Sequence, residues 1–153
     1  MTEGFVIVSS SEAELALAET HAVLAAAASE NYRAQLRDLE GALEEGEIDA
    51  AGAGVLEPIL ELALQSGRIR AVYGPPGETA ALRLYRKLPR GAAVQQSARD
   101  VSEALNALRG KTLRNAALTA VGPGAYTVSL ATDDGNVSLR LDRQGARITS
   151  VEV

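Results

Sequence analysis

Three short turn signals constrain this chain more than anything else in it. "GPG" at 122–124, "DDGN" at 133–136 and "DRQG" at 142–145 separate four alternating runs, at about 112–121, 125–132, 136–142 and 146–153. Connections this tight join only antiparallel neighbours, so the runs read as a four-stranded meander. In the third run Val137, Leu139 and Leu141 share one face, and Ser138, Arg140 and Asp142 share the other. A sheet with one apolar face has to cover it. The segment directly before it supplies the cover: "SARDVSEALNALRG" offers Ser97 as a cap and Asp100 three residues on. Val101, Ala104, Leu105 and Leu108 follow at helical spacing, with Gly110 at the stop. The spacing predicts a helix over 98–109 packed on the meander.

The preceding sequence is helical by pattern. Ser11 followed by Glu14 has the form of a capping box, and Glu12 complements the dipole of the helix that follows. Few breakers interrupt the run before Gly41 and Gly46, although "SEN" at 29–31 can divide it into two helices. Tyr32, Leu36, Leu39 and Leu43 recur at spacings of four, three and four, a narrow seam of coiled-coil type. The glycines of "IDAAGAGV" at 48–55 mark a loop. A further helix follows, with Pro58 in its first turn, Gly67 after its end and an apolar stripe of Leu56, Ile59, Leu60 and Ala63. "RIRAVY" at 68–73 then reads as a short strand. The fold class is therefore α+β: a mostly helical half over 1–91, with a short strand and a basic segment at 68–90, and a helix plus four-stranded antiparallel sheet over 92–153. The helix-and-meander layout resembles cystatin-like folds in architecture, and names no ligand.

Charge is distributed unevenly. The net charge is −5, yet residues 1–67 carry thirteen acids against only Arg33 and Arg37. Residues 68–90 carry Arg68, Arg70, Arg83, Arg86, Lys87 and Arg90 against Glu78 alone. The simplest consequence is that the acidic and basic parts face each other or solubilise the surface. With no cysteine, disulfides, thiolate metal sites and cysteine nucleophiles are excluded together. No run approaches the ~18 apolar residues of a membrane span, and the first residues lack the basic start of a signal peptide. The expected location is the cytoplasm, without membrane contact.

"AVYGPPGETAALRLYRKL" at 71–88 has the outline of a phosphate-binding strand, loop and helix. A P-loop needs a second Gly, a Lys and a Ser/Thr at fixed offsets from the first Gly. Counted from Gly74, those positions hold Thr79, Ala80 and Ala81, and Glu78 adds a negative charge. This loop does not cradle a phosphate. Residues 80–88 fit two periods. As a helix, Ala81, Leu82, Leu84, Tyr85 and Leu88 oppose Arg83, Arg86 and Lys87; as a strand, Leu82, Leu84 and Leu88 alternate with Arg83, Tyr85 and Lys87. On the strand reading, residues 55–91 resemble the last helix and wing of winged-helix regulators. "GRIR" stands for their "GLI-R" step and "YRKLPRG" for their "Y-x-L-T-P-x-G" ending. The resemblance implies a nucleic-acid-associated regulator using 55–91. The helix that would read DNA, however, carries Glu57 and Glu61 and no base, which opposes a polyanion.

No constellation of catalytic type emerges. His21 is the only histidine and sits among helical alanines; Ser9 to Ser11 are helix-entry residues; Asp133 and Asp134 are turn residues. Glu44, Glu45, Glu47 and Asp49 lie at a solvated helix end without metal-loop spacing. No cofactor, metal or catalytic residue is expected. The first expectation is a non-enzymatic interaction module that dimerises through Tyr32, Leu36, Leu39 and Leu43, with a protein partner as a further possibility. The basic patch of Arg68, Arg70, Arg83, Arg86, Lys87 and Arg90 carries the nucleic-acid alternative. A small-ligand pocket between sheet and helix is the third.

Overall fold

The computed structural model describes residues 4–152. The chain divides into two compact units, Met1–Ala92 and Ala93–Val153. The architecture is α+β, a helical unit followed by a helix packed on a four-stranded antiparallel sheet.

The helical unit opens with β1 (Val6–Ile7) and continues through α1 (Ser10–Ala26), α2 (Glu30–Glu45), β2 (Glu47–Ile48), α3 (Ala50–Gln65) and α4 (Arg68–Lys87). The capping box of α1 is Ser9 with Glu12, not Ser11 with Glu14: the Glu12 N–H donates to Ser9 Oγ at 3.4 Å, and the Ser9 N–H to Glu12 Oε2 at 3.0 Å. Three consecutive serines make both pairings available. Burial of Glu12 against a cation from α4 accompanies the earlier one. Ser29 caps α2 and so divides the long helical run. The glycine-rich stretch after β2 is helix, not loop. Asp49 accepts the Gly52 N–H at 2.7 Å and starts α3 eight residues before Pro58. Pro58 consequently sits inside the helix, where it offers no N–H to the carbonyl of the exposed Gly54, which water can serve instead.

"RIRAVY" is also helical, and the expected strand is absent. Ile69 is fully buried and Tyr73, one turn on, packs on the same core, so period four prevails over period two in this short run. Gly74 then kinks α4 with φ 70° and ψ −173°, a conformation open essentially to glycine, and Pro75 and Pro76 start its second segment. The segment 78–88 is thus helix and not wing: Ala81, Leu84 and Leu88 are buried and Arg83 and Arg86 exposed. That removes the structural basis of the winged-helix resemblance. The core gathers Leu15 of α1, Leu36, Leu39 and Leu43 of α2, Ile48 of β2, Leu56 and Leu60 of α3 and Leu84 of α4.

The second unit holds most of α5 (Pro89–Leu105), a 3₁₀ turn at Asn106–Leu108, and β3 (Leu113–Gly122), β4 (Ala125–Thr132), β5 (Gly135–Asp142) and β6 (Gly145–Glu152) in meander order. The helix begins at Pro89 and not near Ser97, because Pro89 is a good first helical residue and Glu57 accepts the next backbone N–H, that of Arg90, at 3.0 Å. Ser97 lies mid-helix, its hydroxyl donating to the Ala146 carbonyl beside the β5–β6 turn. Val101, Val137 and Leu139 are buried between helix and sheet, whereas Leu141 is 37% exposed. The 3₁₀ turn after the helix lies beside Thr132, Gly135 and Val151, and Ser97 reaches Ala146 of β6, which places α5 toward β5 and β6. Every residue of β3 is exposed.

Candidate functional site

The acidic and basic stretches of the sequence meet inside the helical unit. Among the described residues three glutamates are buried, and each has a base. Glu12 pairs with Lys87 Nζ at 2.7 Å, Glu19 with Arg68 Nε at 3.1 Å, and Glu57 with Arg90 Nε at 3.2 Å. Tyr73 donates its hydroxyl to Glu19 at 2.7 Å and Tyr85 to Glu61 at 3.0 Å. The Gly77 position is part of this arrangement, since a Cβ there would overlap that of Tyr73. Of the six bases in the expected patch, Arg68, Arg70, Lys87 and Arg90 are therefore in ion pairs, Arg70 with Glu78 at 3.7 Å. Arg83 and Arg86 carry no ion pair among the described residues.

The expected helical seam is used within the chain. Leu36, Leu39 and Leu43 are fully buried in the core of their own unit, and Tyr32 is half-buried. His21 Nε2 stands 2.9 Å from Glu40, linking α1 to α2. Asp49 is a helix cap, and Asp134 pairs with Lys111 at 2.9 Å. Among the described residues no cluster of His, Cys, Asp and Glu could hold a metal ion, and no helix is long and apolar enough to cross a membrane. The space under the 3₁₀ turn that follows α5, against the sheet, measures about 10 Å³. That is scarcely room for one water, and leaves no ligand pocket at that point.

No known family, curated protein or solved structure matches this chain. Two surfaces that the sequence does not single out stand open in the structure.

The first is a groove of about 580 Å³ between α1 and α3. Val23 and Ile59 contribute apolar wall, Leu62 stands 71% exposed, and Glu19 and Arg68 belong to its polar lining. The second is the sheet beyond α5. Register aligns Leu118 of β3 with Val128, Leu139 and Ile148, and Ala116 with Leu130, Val137 and Val151. The helix leaves the β3 side of this apolar face open, with Leu118 65% exposed. Exposed apolar residues in register signal such a face; alternation alone does not say which strands the helix reaches.

The ion pairs carry a pH dependence. Burial pushes the Glu12 carboxyl up, but the hydrogen bond from Lys87, the Ser9 bonds and the Lys87 charge outweigh it, so it lies below its ordinary value. Its contribution to stability is present above the ordinary glutamate range and is lost as pH falls through the lowered value. Burial first, then the hydrogen bonds to Glu19 and Glu61, push Tyr73 and Tyr85 each up to about 12. Their contribution is present below about pH 10 and is lost as pH rises through about 12. Denaturant midpoints of the helical unit should be level between these limits and fall outside both. In Lys87→Met, Glu12 loses the hydrogen bond and the charge of Lys87 and keeps only the Ser9 bonds against burial, so its acid-side contribution shrinks. An acid limb unchanged in that variant would contradict the assignment.

Proposed function

We propose that the protein is a non-enzymatic interaction module that self-associates through β3, and not through the helical seam. The observation that carries this reading is the contrast between the two edges of the sheet. Natural edge strands are protected by charge, proline, bulges or shortness. The β6 edge has Arg147 and Glu152, and its register with β5 shifts between Ser138 and Leu139. The β3 edge is ten residues long and uncharged from Asn115 to Gly122; its register with β4 shifts near both ends, between Leu113 and Asn115 and between Ala120 and Gly122, and is regular over the stretch between them. Its exposed backbone and the open apolar face beside it present main-chain donors and acceptors together with side-chain area, the two elements of β-strand addition.

A second copy fits this edge. Antiparallel pairing about a two-fold axis at Leu118 places Arg114 opposite Gly122, so no like charges meet, whereas in-register parallel pairing stacks Arg114 on Arg114. Occupation of each buried carboxylate by a cation supports a structural rather than catalytic role for those groups.

Light scattering at about 100 μM, above the micromolar range of a specific interface, should give a dimer. Leu118→Lys with Ala116→Lys, both at exposed positions, should give a monomer with unchanged circular dichroism. A monomeric wild type, or a dimer indifferent to both lysines, rejects the β3 interface.

A further inference from the structure

The groove between α1 and α3 has the composition of a site for a small amphiphile. At about 580 Å³ it falls within the ordinary range of ligand pockets. Ala22, Val23 and Ala26 come from α1, and Pro58, Ile59 and Leu62 from α3. Leu62 is 71% exposed, a leucine presented to whatever enters. Of its polar lining, Ser66 and Arg68 follow α3 and lie with Glu19 of α1, while Tyr32 comes from α2.

Their bonding selects the charge of the ligand. Glu19 accepts from Arg68 Nε and from the Tyr73 hydroxyl. Both of its oxygens are engaged, so it has little to offer a cation. Arg68 is tethered through Nε, and its terminal nitrogens have no partner among the described residues. That half-exposed end of the guanidinium keeps a pair of donors suited to a carboxylate.

We propose that this groove binds a monocarboxylate with an apolar tail, its carboxylate on Arg68 and its tail along α1 and α3. From Pro58 to Ser66, α3 advances about 12 Å, the length of a tail of roughly eight to ten carbons. The site lies in the helical unit and does not depend on the sheet-edge interface.

The test is calorimetric titration of the intact protein with decanoate, kept monomeric, against butyrate and decanol. Decanoate should bind saturably with Kd on the order of 0.1 mM. Decanol should bind at least about tenfold more weakly, for want of the charged hydrogen bonds, and butyrate should give no saturable heat. Ala22→Phe places a ring in the groove from an exposed helical position and should abolish binding while leaving the thermal midpoint unchanged. Arg68→Lys keeps a cation for Glu19, loses the planar donor pair and should weaken binding about fivefold or more. No saturable decanoate binding up to about 2 mM, well above the expected range, overturns the proposal. So does decanol binding as tightly as decanoate, or full binding by Ala22→Phe.

Discussion

Leu36→Glu combined with Leu39→Glu should unfold the helical unit. Both leucines are buried in its core beside Leu43, Leu56 and Leu60. Glu12, Glu19 and Glu57 are each buried with a cation alongside, whereas Leu36 and Leu39 are packed among the apolar side chains of the core. Each substitution exchanges a buried leucine for an unpaired charge or a neutral acid without its hydrogen bonds, at several kcal/mol. Two of them rival the ~5–15 kcal/mol that holds a whole domain together. Far-ultraviolet circular dichroism should show loss of most of the helical signal. The same pair distinguishes the seam as core from the seam as interface. If the leucines met a second copy, the product would be a folded monomer, and that outcome would return dimerisation to α2.

A narrow apolar seam was legible in the sequence, and its use was not. Spacings of four, three and four describe Leu36, Leu39 and Leu43 equally well against a neighbouring helix of the same chain or of another. What decides is how much apolar surface the rest of the unit offers, and α3, with Leu56, Ile59, Leu60 and Ala63, offers enough. The meander was legible almost residue by residue, because turn residues at both ends of each strand pin its register. The misread stretches share a cause. "RIRAVY" and "IDAAGAGV" are too short for their period to separate helix from strand or loop, and tertiary burial of Ile69 and Ala53 overrides local signals. The two-residue strands β1 and β2 fall below any pattern length. Charge balance allowed the acidic and basic stretches either to face each other or to lie on a solvated surface, and it named no partners: Glu19 and Arg68 lie 49 residues apart in the chain.

Leu139→Ala should destabilise the sheet unit by about 2–5 kcal/mol, the range for truncating a buried leucine. Leu139 is 5% exposed and shares the space under α5 with Val101 and Val137. With so few buried side chains the unit has little capacity to repack around the lost volume. The covering helix is also tied to Ala146 by the Ser97 hydroxyl, which restrains its collapse into the cavity. Leu141, two residues along the same strand and at 37% exposure, provides the internal control. Leu141→Ala should stay near the ~0.5 kcal/mol typical of surface changes. Native-state hydrogen exchange reads both without requiring global unfolding. In Leu139→Ala the slowest amides of β4 to β6 should exchange about thirty- to several-thousand-fold faster, the same free energy expressed as an opening equilibrium. On the proposed pairing of β3 with a second copy, exchange in β3 and β4 should also quicken as the protein is diluted below its association range. Equal effects from Leu139 and Leu141 would place α5 over a different part of the sheet, and with it the open face on which self-association through β3 depends.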